Sequence, residues 1–292
     1  MCGRYAASRS PDDLVEEFEV DLVDRTDGLV ADYNVAPTKP VPAIVTRPPR
    51  GQRDEPAVRQ LTVLQWGLVP SWAKDPKIGN RMINARTETV ADKPAFRRAF
   101  ARRRCLLPAD GYYEWYETDQ RTAKGRPVKQ PFFIHPRDGG VLAMAGLYEI
   151  WRNDSLDRDD PGAYLWTCTV LTTTAQDEIG QLHDRMPLLV GKDRWQEWLD
   201  PSRDGSADPD SLLGLLVPAA PGSSGHRLEA YPVSREVNAV QNNGSHLVQP
   251  IPVDETAGTP GTGQAAQAGR PVRNDVDDGG QATLVDIDEV RP

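Results

Sequence analysis

The chain has no apolar run near the roughly 20 residues needed to cross a bilayer, and Met1-Cys2-Gly3-Arg4-Tyr5 lacks the apolar core of a signal peptide. These two absences predict a cytoplasmic protein with no membrane partner. Cysteine is scarce: Cys2, Cys105 and Cys168 are far apart, odd in number and without a C-x-x-C spacing, which suggests neither a disulfide framework nor a zinc site. Cys105 and Cys168, flanked by apolar residues, read as buried thiols. Internal repeats and heptads are also lacking. Hydrophobic residues make up only 38% of the chain, while Gly (24) and Pro (26) are abundant, so turns and short elements are expected in place of long helices.

Positive charge is in deficit as well, with a net charge of -9 that argues at first against a nucleic-acid partner. The distribution weakens that argument. From Asp254 onward eight acidic residues face only Arg270, Arg273 and Arg291, so the last segment holds over half of the excess. Residues 81–104 carry Arg81, Arg86, Lys93, Arg97, Arg98, Arg102, Arg103 and Arg104 against Glu88 and Asp92. The run from Arg97 to Arg104 reads as a solvated helical face, with DNA contact the minority alternative.

Ser10-Pro11-Asp12-Asp13 supplies an N-cap, a first-turn proline and first-turn acids, which predicts a helix over about residues 11–19. Strand-like runs follow at 41–46, 60–66, 105–107, 112–116, 132–135, 141–150, 164–174 and 187–190. Helical patterns are fewer, at 94–103, 175–182, 194–199 and 211–216. Many strands, scattered short helices and no regular βα alternation predict an α+β fold around a mostly antiparallel, barrel-like sheet. Residues 254–292, poor in aromatics and rich in Gly, Ala, Gln, Thr and Asp, are expected to be a disordered acidic tail behind a single domain of residues 1–253.

Cys2 carries a specific chemistry. Loss of Met1 would leave an α-amine of pKa roughly 7.7–8.0 beside a thiol near 8.5, so part of each is nucleophilic at neutral pH. Amine and thiol on adjacent carbons together capture an aldehyde: the amine forms an imine and sulfur closes on it to give a five-membered thiazolidine.

Seven short motifs follow in order: Met1-Cys2-Gly3-Arg4-Tyr5, Tyr33-Asn34-Val35-Ala36-Pro37, Trp66-Gly67-Leu68-Val69-Pro70-Ser71-Trp72, Ile83-Asn84-Ala85-Arg86-Thr87-Glu88-Thr89, Gly111-Tyr112-Tyr113-Glu114-Trp115, His183-Asp184-Arg185-Met186-Pro187 and Val233-Ser234-Arg235-Glu236-Val237-Asn238. The series resembles that of the SOS response-associated peptidase (SRAP) family, which includes bacterial abasic-site processing proteins and a eukaryotic relative that shields abasic sites. The resemblance runs from Met1 to about Pro252.

It implies a monomeric, nucleoid-associated protein without cofactor or metal. Its partner would be single-stranded DNA containing an abasic site, which Cys2 links covalently through the ring-opened aldehyde. Ring closure by sulfur removes the imine that would otherwise promote strand cleavage. By resemblance Glu114 is the acid/base for sugar opening and adduct reversal, and the plain alternative is a solvated strand glutamate; partial burial would lift its pKa toward neutrality. His183, read as ending the 175–182 helix, would assist imine formation or sugar opening, against the alternative of a structural cap. Asn84 and Arg86, two apart on an extended segment, share a side, which suits an amide near the lesion sugar and a guanidinium on the next phosphate. Arg4 and Arg185 would be further phosphate anchors, each against the alternative of a surface ion pair. Trp72 would be a base wedge, although the adjacent Ala73 is smaller than the residue some relatives carry there, and Trp66 reads as core.

Three rivals remain. A glutamine amidotransferase also begins with a nucleophilic cysteine followed by glycine, but the later motifs do not resemble that family. A self-processing peptidase would use Cys2, Glu114 and His183 to cleave the Met1-Cys2 bond, which is compatible with DNA capture. A plain single-strand-binding module would need only the aromatic and basic loops.

Overall fold

A computed structural model of the protein describes residues 2–52, 54–175, 182–216 and 228–252. Among the described residues, thirteen strands form two sheets. Strands β4 (Pro40–Arg47), β5 (Val58–Trp66), β7 (Arg104–Ala109), β10 (Leu142–Arg152) and β11 (Tyr164–Thr174) run in the order β11-β10-β7-β4-β5, and β5 pairs with β11 in parallel to close a five-stranded barrel. β2 (Leu22–Val23), β6 (Asn84–Arg86) and β12 (Arg185–Pro187) add to its edges. The second sheet has the order β13 (Leu228–Pro232), β9 (Pro127–Pro136), β8 (Gly111–Arg121), β1 (Tyr5–Ala7), β3 (Asp32–Val35). Barrel-like, mostly antiparallel α+β architecture is therefore as the residue pattern predicts.

Strand alternation divides the core. One face of the barrel strands sets Val41, Ala43, Val45, Leu64, Trp66 and Cys168 against Tyr5, Tyr112 and Ile134 of the second sheet. The opposite face packs Ile44, Leu61, Leu106 and Leu147 against the helical residues Leu14, Phe100, Trp198 and Leu212. The four α-helices among the described residues are short: α1 (Pro11–Glu17), α2 (Arg97–Arg102), α3 (Trp195–Leu199) and α4 (Pro209–Gly214). Ser10 caps α1 through a reciprocal bond with Asp13, the arrangement its sequence implies.

Two expectations need correction. The arginine run is not one solvated helix, because α2 ends at Arg102 and Arg104 is buried at the start of β7. There its guanidinium donates to the carbonyls of Trp198, Phe100, Ala101, Asp200 and Arg203, tying α2 and α3 to the barrel. The strand expected at 187–190 lies at Arg185–Pro187, paired with the end of β11. The helix expected over 175–182 and the tail from 254 lie outside the described residues.

Candidate functional site

Three of the motifs meet to fix the amino-terminal strand. Arg4 donates to Asn34 Oδ1 at 2.7 Å and to the Val237 carbonyl at 2.8 Å, and its guanidinium lies over the Trp115 ring. Asn34, fully buried on β3, spends its amide donors on the carbonyls of Val237, Ala239 and Asn242. A single amide thus closes a loop some 200 residues away, and every buried polar atom of Asn34 has a use. The Arg4 carbonyl accepts from the Tyr113 amide at 2.9 Å, extending the β1–β8 ladder toward the amino terminus.

That ladder brings Cys2 beside β8. Alternation along β8 sends Tyr113 and Trp115 to one side and Tyr112 and Tyr116 to the other, where Cys2 and Tyr5 are buried. Glu114 shares the second side and is itself buried. Its burial is fuller than the strand pattern suggests. Desolvation pushes its carboxyl up to about 7, with the chain's amino-terminal charge pulling the other way. Burial, reinforced by Glu114, drives the Cys2 thiol well above its ordinary range, so at neutral pH sulfur holds its proton.

Asn84 reaches the same place from the barrel. β6 runs parallel to β11 in the register Asn84 opposite Val170 and Arg86 opposite Thr172, while Ala85 between them turns into the helical core. Asn84 Nδ2 donates to the Cys2 carbonyl at 2.8 Å, and its Oδ1 is buried with no hydrogen-bond partner. Trp66, edge-on to Tyr5 at 5.1 Å, supports β6 by donating its indole N–H to the Ile83 carbonyl at 2.8 Å. Gly67 follows at φ 126°, where a Cβ would sit 2.7 Å from the Gly79 carbonyl oxygen; only glycine permits this close crossing.

His183 is buried immediately before β12. Its Nδ1 accepts from the Arg185 amide at 2.9 Å and lies 2.9 Å from Asp184 Oδ1. Burial outweighs the Asp184 charge and pushes its pKa down to about 4, which leaves a neutral ring at neutral pH.

The cationic residues differ in availability. Arg86 is exposed, and its side chain makes no hydrogen bond or ion pair among the described residues. Arg185 forms a bidentate pair with Glu88 at 2.6 and 3.0 Å and also donates to the Thr172 carbonyl and hydroxyl. Its bonds and those of Arg4 hold the site's walls together. Trp72 is 60% exposed on the loop after β5, whereas Trp66 is core as expected. Sequence reasoning passed over Asn34, Glu88 and Thr172; the first two lie inside recognised motifs, but their long-range partners leave no local pattern.

Residues 1–240 match the profile of the SOS response associated peptidase (SRAP) family. The chain is 38% identical over 248 residues to abasic site processing protein YoaM of Bacillus subtilis, an overlap covering 85% of this chain and 97% of that protein. It is 30% identical over 256 residues to abasic site processing protein YedK of Escherichia coli, covering 86% and 100%. A crystal structure of a protein from Bacteroides thetaiotaomicron shares the fold, with TM-score 0.66 at 23% identity, over 86% of this chain and all of that one.

Proposed function

The chain belongs to the SOS response associated peptidase family, and from that premise we propose that it processes abasic sites in single-stranded DNA through a covalent bond to Cys2. The observation that carries this reading is the convergence of Asn84, Glu114 and Cys2 from separate elements. Asn84 holds the Cys2 carbonyl, and Glu114 titrates near neutrality beside the thiol.

Once Met1 is removed, the Cys2 amine adds to the aldehyde carbon of the ring-opened sugar and expels one water as the imine forms. The thiol proton passes to Glu114 as sulfur bonds to the same carbon, and a proton returns to the nitrogen, closing the thiazolidine with no further loss of atoms. Because burial keeps sulfur protonated, a base that titrates near pH 7 is the group this step requires. Glu114 in its neutral form gives a proton to the ring oxygen as the sugar opens and takes one back from the anomeric hydroxyl, while neutral His183 assists by hydrogen bonding to the sugar. Arg86 is the first phosphate contact and Trp72 the exposed aromatic for an adjacent base. Arg4 and Arg185 reach phosphate only by sharing bonds they already make.

Self-cleavage of the Met1-Cys2 bond is the peptidase reading of the same residues and would precede capture by exposing the amine. Glu114→Gln tests it: retention of Met1 in the variant and not in the parent supports self-cleavage. For DNA capture, a denaturing gel should show a heat-stable shifted band with abasic single strands and none with undamaged ones. Absence of the band with the parent protein would remove the proposed function.

A further inference from the structure

The end of the barrel away from Arg86 carries a second cluster that the Cys2 chemistry does not use. Trp166 lies on β11 six residues before Thr172, the register partner of Arg86, hence roughly 20 Å along the strand. Its ring stacks parallel to Tyr148 at 6.3 Å between centroids. Two guanidiniums lie over the same indole: Arg47, from the end of β4, at 4.6 Å and Arg25, from the loop after β2, at 5.8 Å. Arg25 is held there at φ 57°, a left-handed backbone that a side chain other than glycine adopts only at a cost. Neither Arg25 nor Arg47 has a carboxylate within ion-pair distance among the described residues. Exposed Arg50 follows the Pro48-Pro49 turn beside them, whereas neighbouring Arg103 is neutralised by Glu149.

Structural need does not explain this crowding. Like charges are brought together on one partly buried aromatic: burial first, then Arg50, depresses the Arg25 pKa, with Asp24 the opposing carboxylate and Arg47 adding to the repulsion. Planar guanidiniums stacked on an indole are fixed in orientation, half-desolvated and left with N–H edges free for an anion, the arrangement that suits bidentate phosphate contact.

We propose that Arg25, Arg47 and Arg50 around Trp166 form a second docking site for the phosphodiester backbone of single-stranded DNA, several nucleotides from the residue captured at Cys2. The inference rests on the DNA reading above and deepens it: one strand is held at two points on β11's length, and affinity for long strands exceeds what the Cys2 end provides. Arg86 anchors the near phosphate and the Trp166 cluster the far one, so the two contacts act together only on a strand long enough to span them.

The test uses the full chain and two undamaged single strands, of about 4 and about 16 nucleotides, which bracket the usual range of single-strand site sizes. Arg25→Ala/Arg47→Ala should weaken binding of the long strand at least about tenfold and make its salt dependence shallower by roughly 1.4, two contacts at about 0.7 each. Short-strand binding and the crosslinking rate on a short abasic strand should be unchanged. Arg50→Glu, at an exposed position that cannot disturb folding, should weaken the long strand alone and carries the test if the double variant does not fold. Parental affinity and salt slope for the long strand in these variants would overturn the proposal. Failure of the parent to crosslink the short abasic strand would instead overturn the Cys2 reading, without touching the long-strand comparison.

Discussion

Arg104 and Glu114 are both buried charge-bearing side chains, and they resolve the cost of burial in opposite ways. Arg104 is 3% exposed, yet five carbonyls surround it, and its pKa falls only to about 10, so it remains a cation and a structural rivet. Glu114 is 2% exposed, and its carboxyl responds by moving to about 7. Burial alone therefore says little about role. What separates the two is which influence dominates: five carbonyls hold Arg104 as a cation, whereas at Glu114 desolvation outweighs the amino-terminal charge and lifts the pKa to about 7.

The sharpest way to break this comparison is Glu114→Gln. If Glu114 moves the thiol proton and serves the reverse reaction, single-turnover formation and release of the adduct should both slow by about 10² to 10⁴. Binding of unreactive single strands should be unaffected. The parent's formation rate should rise through about pH 7 as the carboxyl ionises, and the variant should lose that inflection. The same substitution should stabilise the fold. Between the ordinary value of 4.5 and about 7 the carboxyl is protonated when folded and ionised when unfolded, so its burial costs progressively more as pH rises through that window. Glutamine removes a cost that reaches on the order of 3 kcal/mol above pH 7. A raised melting temperature at pH 8 and none at pH 4 is the expected result; an equal shift at both would show that the carboxyl is not buried as the neutral acid.

Arg104→Ala probes the other side. It strips five carbonyls of their donor and should cost on the order of 3 to 5 kcal/mol in denaturant unfolding, with the crosslinking rate of the remaining folded protein unchanged. A loss of rate without loss of stability would mean that Arg104 belongs to the site. The smallest effect is expected at the exposed rim. Arg86→Ala should weaken intact and abasic strands alike and make the salt dependence shallower by about 0.7. An unchanged slope in the folded variant would remove Arg86 from the DNA surface.

Much of this division was legible in the residues. The 164–174 run is β11 to the residue, the cap at Ser10 marks α1, and the Asn84/Arg86 spacing places both on one side of a strand. Strands of two to five residues, β1, β2, β3 and β13, leave no strand-like run in the sequence because so short a stretch has no period to count. Arg104 was misread for a related reason: five arginines in eight positions look solvated, and only a partner set drawn from α2, α3 and the turn after it distinguishes the buried member. At the site, Cys2 and Glu114 stood out by chemistry. The engagement of Arg4 by Asn34 and of Arg185 by Glu88 did not, since each bond joins segments 30 to 97 residues apart.

The proposed function rests on Cys2, freed of Met1, closing a thiazolidine on the abasic aldehyde. Intact mass of the purified protein before and after incubation with abasic single-stranded DNA tests it most directly, run beside Cys2→Ala without added reductant. The predicted result is a parent protein lighter than its sequence by one methionine that gains the strand's mass less one water and survives heating, while Cys2→Ala gains nothing stable. A heat-stable adduct on Cys2→Ala, or an unmodified parent, would contradict it.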